Sequence, residues 1–312
     1  MDESSQSPQS GSSRSLLTNK WSSLKRRLLQ VLAIATCLLL ALIVWAWVNN
    51  NYSFTNKSAA EISTDLDQAI DLGIGWIVEH REEFENAKGN SALLHMIGDM
   101  SQPVATPKLQ EIFANHLTQR SPKNFWRRML EPVSDTNVLS KWQLAKYAEY
   151  QRWLAYAIAP SEIKLSDEDF KSMLSPDKNT YRHLTHQLMA LDMLRDRNEG
   201  EEDFDDLIDT LCQRIARECA VDFRVTDLYL QRVAVVLAAD RPDLIKKRWV
   251  ERIIANQDAG GGFHYSWYGW QPNPLKLFDS RKPVAHATVQ GVWLLYMIRH
   301  RFPDWITENL PA

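Results

Sequence analysis

The chain has 312 residues, 45% of them hydrophobic and 24% charged, with a formal net charge of −3. That composition excludes collagen-like, low-complexity and disulfide-scaffold proteins and leaves room for one large globular domain or two small ones. A mildly acidic chain with no clustered basic face also gives no reason to expect nucleic acid as a partner, because duplex binding works by displacing counterions.

Residues 1–27 are rich in Ser and Gln and end in Lys20, Lys25, Arg26 and Arg27, which predicts a disordered basic tail. From Leu28 to Val48 the run LLQVLAIATCLLLALIVWAWV carries no charge, and only Gln30 and Thr36 interrupt it. That length matches the hydrocarbon core of a bilayer, so a transmembrane helix is expected over 28–48, with Trp45 and Trp47 at its interfacial end. Between Asn49 and Thr64 Lys57 is the single basic residue, and the positive-inside rule then places the N-terminus in the cytoplasm and the rest on the exoplasmic side, the periplasm in a bacterium. The apolar run is longer than a signal-peptide core and no A-x-A site follows it, so an uncleaved signal anchor is expected, and the lipid bilayer is the first partner.

A polar tether is predicted over 49–62, then an all-α domain over 63–312 with a sub-boundary near 160–178. Helical spacing begins at Ser63-Thr64-Asp65 and continues to Phe84, with Leu66, Ala69, Ile70, Ile74 and Ile77 on one face. Further helices are expected near 90–100, 107–119 and 136–158, separated by Pro103, Pro107 and a connector at 121–133 with a short helical turn. In the last of these, Leu139, Trp142, Leu144, Tyr147, Tyr150, Trp153 and Leu154 cover most of the circumference, which predicts deep burial. Five more follow near 179–197, 203–219, 225–239, 241–257 and 284–301, the pattern of stacked helical hairpins. Cys212 and Cys219 lie on one helix roughly 10 Å apart, too far for a disulfide, and read as small buried hydrophobes.

The pattern H-x-T-x-Q occurs twice, His183-Leu-Thr185-His-Gln187 and His286-Ala-Thr288-Val-Gln290, each near the start of an apolar helix. Equivalent helices of a repeated hairpin unit would carry such an echo. The stretch WVERIIANQDAGGGFHYSWYG, Trp249 to Gly269, resembles the helix-end signature of α/α-toroid proteins of the squalene-cyclase and prenyltransferase type. The residues that carry it are Gln257, Asp258, Gly261, Gly262 and Phe263, with Ala285 to Ile298 as the following inner helix; it departs from the family in its third glycine and in the long insert between Phe263 and Lys282. In such a turn the glycines end the helix and the Gln and Asp side chains tie it to neighbouring helix ends. The resemblance implies inner helices that start near His183, Thr226 and His286 and converge at one mouth of a barrel.

Chemistry-bearing residues are few. Asp203-Phe204-Asp205-Asp206 reproduces the D-x-D-D string of class II terpene cyclases, but it stands where carboxylates complement a helix N-terminus, and that reading is preferred. His183 and His186 have no accompanying ligand set, so no metal and no cofactor are expected. Gly260-Gly261-Gly262 follows a helix instead of a strand, which argues against a nucleotide site. The aromatic loop Phe263 to Trp270 is the most function-like segment: His264, Tyr265, Trp267, Tyr268 and Trp270 form either a stacking surface for a ligand or a plug. These observations predict a membrane-anchored envelope protein that binds or assembles, engaging a glycan or partner membrane proteins. The alternative is an envelope enzyme acting on a glycan or isoprenoid-linked substrate, with His286 or His183 as general acid/base and Asp258 or Asp279 as carboxylate partner.

Overall fold

The computed structural model describes residues 12–53, 55, 57–86, 90–101, 106–131, 136–177, 182–197, 204–222, 224–264 and 282–308, with side chains from 25 onward except that of Arg182. Contacts divide the chain into two units, Met1–Asn49 and Asn50–Ala312. Helix α1 (Ser12–Asn51) provides the first, and its portion Lys25–Asn51 contains an 18-residue window of mean hydropathy 2.7, long and apolar enough to cross a membrane as an anchor or to serve as a signal sequence.

The second unit is all-helical among its described residues. Its first helix, α2 (Ala59–Glu79), starts ahead of the expected Ser63 because Ser58 and Glu61 form a capping box: the Ser58 hydroxyl accepts the Glu61 N–H and the Glu61 carboxylate accepts the Ser58 N–H. Its buried face, Ile62, Leu66, Ala69, Ile70, Trp76 and Ile77, follows the predicted stripe except at Ile74, which is half-buried. After it come α3 (Glu82–Glu85), α4 (Ser91–Ser101) and α5 (Pro107–Gln119), then a single helical turn at Phe125–Met129.

The long helix expected over 136–158 is instead two, α6 (Lys141–Leu144) and α7 (Glu149–Ile158). Ala148 is extended at φ −62, ψ 155, and the Gln151 side chain accepts its N–H at 3.0 Å, so a new helix start is stabilised inside the apolar pattern. Trp142 consequently stands 69% exposed with the Lys146 ammonium 3.2 Å above its ring, where burial was expected. Helix α8 (Asp167–Met173) occupies the predicted sub-boundary and is tied to α7 by an Arg152–Asp169 ion pair at 2.5 Å and by the Trp153 indole N–H donating to the Asp169 carbonyl.

The remaining helices are α9 (Arg182–Arg197), α10 (Asp205–Val221), α11 (Asp227–Ala238), α12 (Lys247–Ala255), α13 (Ala285–His300) and α14 (Pro303–Glu308). The continuous helix expected over 241–257 is instead a short turn that Pro242 begins and α12, divided by the extended residues Ile245 and Lys246. Helix α11 is buried from Tyr229 to Leu237 and α13 from Ala287 to Ile298, so neither has a solvent face. Helix α11 packs on α9, α10 and α13, and α13 packs on α2 and α4.

The glycine turn behaves as its residues require. The Gln257 amide donates to the carbonyls of Ala69 and Gly261, both at 2.8 Å, and ties the end of α12 to α2. Gly261 has φ +91, and a Cβ there would lie 2.1 Å from the Leu72 carbonyl oxygen. Gly261→Ala should therefore cost about 2–4 kcal/mol, seen as a lowered Tm, from left-handed strain plus a backbone clash. Gly75, with open space around its Cβ position, should gain about 0.8 kcal/mol on replacement by Ala. Equal Tm changes for the two would contradict this account.

Candidate functional site

Helices α4, α9, α11 and α13 wall two adjoining cavities within the second unit. One, of about 320 Å³, lies at the starts of these helices and takes in Tyr150, His186, Gln231, His286 and Gln290, with Trp126 and Arg120 on its rim. The other, of about 460 Å³, lies toward their ends and takes in Asp99, Asp192, Asp196, Trp293 and Arg301. Ala92, Met96, Met129 and Met189 belong to the wall of both.

On the wall of the first cavity His286 forms an imidazole–carboxylate pair with Asp227 behind it. His286 stands in the first turn of α13 and Asp227 is the first residue of α11, and their Nδ1 and Oδ1 atoms are 2.5 Å apart. A carboxylate only accepts, so Nδ1 carries the proton, and in the neutral ring Nε2 is left as an acceptor. The Gln290 amide nitrogen faces that Nε2 at 3.5 Å, one turn along the same helix. Gln290 is 1% exposed, and its Oε1 has no hydrogen-bond partner among the described residues. Such an orphan acceptor costs about 1–3 kcal/mol, so its retention at the wall of a cavity needs a reason.

The surrounding groups are mostly uncharged hydrogen-bonding side chains. Gln231 accepts the Thr185 hydroxyl at 3.1 Å, and the Tyr150 ring lies 4.4 Å from that of His186. Arg120 supplies a cation: it donates to the Ser91 hydroxyl and, at 3.1 Å, to His116 Nε2. His116 must then hold its proton on Nδ1, which meets the Phe84 carbonyl at 2.8 Å, and burial lowers its pKa in keeping with a neutral ring.

Of the two histidines expected to converge, His286 lines the cavity and His183 does not. His183 points instead between the rings of Tyr150 and Trp153, at 6.0 and 6.3 Å, while His186, one turn further along α9, reaches the cavity. Asp258 is used up by its own turn, where its carboxylate accepts the Gly260 N–H at 2.8 Å and its backbone pairs with Gly262 and Gly261. The carboxylate partner of His286 is Asp227, which sequence reasoning missed although Thr226 had been placed at the start of an inner helix. His264 forms a backbone bridge with Pro283, and the Val284 N–H donates to the Phe263 carbonyl. Tyr265, Trp267, Tyr268, Trp270 and Asp279 lie outside the described residues. The H-x-T-x-Q echo is not equivalent in use: Thr288 accepts the Phe263 N–H and Gln290 faces the cavity, whereas Gln187 donates to the Met173 and Ser175 carbonyls at the end of α8. Asp205 and Asp206 begin α10 exposed, as helix-start carboxylates, and Asp203 lies outside the described residues.

In the second cavity, burial raises the Asp192 pKa to about 7 against the pull of Arg195, whose guanidinium is 2.5 Å away. A carboxyl shifted upward holds its proton longer in the folded chain, so the stability it lends is full below the usual value of 3.8 and is lost as pH rises through about 7. Asp192→Asn should therefore melt higher than the parent at about pH 8, with the difference vanishing near pH 4; a gap that does not vary with pH would refute the shift. The chain matches no family model, no curated protein and no solved structure.

Proposed function

We propose that this chain is a single-pass membrane protein with a cytoplasmic N-terminus, whose exoplasmic helical domain binds a polyhydroxylated ligand, such as an envelope glycan, in the cavity beside His286. In this reading α4, α9, α11 and α13 are the inner helices of an α/α-toroid-like ring and the cavity is its mouth. The observation that carries the proposal is the buried Gln290 Oε1 without a partner, next to a His286 ring that Asp227 holds in one tautomer. Gln290 and His286 both line the cavity, and a guest that turned the Gln290 amide away from His286 Nε2 would meet two acceptors there, so the ligand they suit brings hydroxyl or amide donors. Trp126 and Tyr150 in the same wall offer faces for the apolar side of a sugar ring. The anchor rests on the uncharged run from Leu28 to Val48 and the basic residues before it.

A second reading is favoured by the His286–Asp227 pair itself. An imidazole whose outer nitrogen opens on a cavity and whose inner nitrogen is fixed by a carboxylate has the arrangement of a general acid/base, with Asp227 as a positioning residue. The domain would then transform the ligand as well as bind it.

Gln290→Leu separates function from folding. Replacing the amide by an apolar group of similar size removes the orphan oxygen, so Tm should hold or rise while binding on a glycan array falls about ten- to a hundredfold. A parent chain that retains no glycan, or a variant that binds as the parent does, would overturn the proposal. Asp227→Asn should leave binding largely intact and abolish turnover if the enzymatic reading is right. For the topology, protease added to intact cells should digest residues beyond 50 and spare the basic tail; the opposite pattern would invert the orientation.

A further inference from the structure

Asn50 and Asn51 follow the apolar run ending at Val48 so closely that, at the rise of a helix, their own backbones lie within about 5 Å of its end, and what their side chains touch is a hydrogen bond away. Both side chains are buried in the second unit. The Asn50 amide donates to the carbonyls of Cys219 at 2.8 Å and Ala220 at 3.1 Å, and the Asn51 amide to Ala220 at 2.7 Å. In the other direction Lys246 donates to the Asn51 oxygen at 2.7 Å and Arg252 to the Asn50 oxygen. If the run spans a bilayer, the end of α10 and the start of α12 are therefore held at headgroup level by covalent continuity and hydrogen bonds.

The chemistry of that face suits the position. Lys246 stands just before α12 and Lys247, Arg248 and Arg252 lie along it, with Glu251 as the one acid among them; Glu251 is 8% exposed, is shared between Lys247 at 3.9 Å and Arg248 at 3.4 Å, and accepts the hydroxyls of Ser53 and Thr55. The nearby acids at the end of α10 are turned inward, Glu218 and Asp222 pairing with Arg232 at 2.7 and 3.0 Å. Lys246 meets an amide oxygen instead of a carboxylate, and desolvation lowers its pKa. Beside these cations stand two exposed apolar side chains, Tyr52 at 53% and Val221 at 67%.

We propose that this face is the membrane-apposed surface of the domain and engages the headgroups of anionic phospholipids in the leaflet where the apolar run ends, with Tyr52 and Val221 at the boundary of headgroup and acyl chain. The proposal rests on the anchor reading, and it assigns the cations a lipid phosphate as their counterion.

The test reconstitutes the full chain in vesicles of phosphatidylcholine with and without phosphatidylglycerol. One photoreactive phosphatidylglycerol carries its reactive group on the headgroup, a second carries it on the acyl chain. Headgroup labelling should fall on 246–252, 52–53 and 221, and its preference for phosphatidylglycerol over a matching phosphatidylcholine probe should drop roughly fivefold for each lysine neutralised in Lys246→Gln and Lys247→Gln. Acyl-chain labelling should fall on 28–48 and be unchanged in both variants. If the acyl-chain probe misses 28–48, the anchor reading fails and this inference fails with it. If that segment labels but the headgroup probe ignores 246–252, or shows no preference that the lysine variants reduce, the anchor stands and the lipid face is refuted.

Discussion

A helix with no solvent face has to be enclosed, and α13 is such a helix from Ala287 to Ile298. The enclosure demands close approach, and the sequence supplies it with small residues on both sides of the contact: a Cβ at Gly73 of α2 would meet Val292 at 2.2 Å, and one at Gly291 would meet the Phe263 ring at 2.6 Å. It also demands that every polar group on α13 find its partner indoors. Thr288 does so by accepting the Phe263 N–H, and Trp293 by donating to the Asp99 carboxylate at 2.6 Å. Gln290 does so only in part, and the cavity beside it is where the enclosure is left incomplete.

Two side-chain pairs that each have one member on α11 show how burial separates scaffold from site. Arg232 is 2% exposed and paired with two carboxylates, and removing both would leave a buried charge uncompensated. His286 is 37% exposed, bonded to Asp227 through one nitrogen, and keeps the other at a cavity. Both pairs join helices packed side by side, but only the second stands at the wall of a cavity.

Much of the helical framework was legible because periodicity and capping are local. The expected stretches at 107–119, 203–219 and 225–239 match α5, α10 and α11 within a few residues. Failures came where a local signal was present but outweighed by hydrophobic pattern, as at Ala148, where Gln151 caps a second helix inside an apolar run, or at Ser58, whose Glu61 partner already spelled a helix start. The site was half legible. His286 could be singled out from its place at the head of an apolar helix, but its partner Asp227 is far away in sequence and looked like an ordinary helix-start acid. The choice between His183 and His186 turned on which way α9 faces, which spacing alone does not decide because the two point in similar directions.

Three of the chain's methionines, Met96, Met129 and Met189, stand in the wall common to both cavities. Unbranched thioethers repack by turning about single bonds, on the picosecond-to-nanosecond scale of side-chain rotation, whereas sliding a helix takes microseconds or longer. The partition between the hydrogen-bonding chamber and the charged one behind it is therefore a soft septum, able to yield to a long guest without any helix changing place.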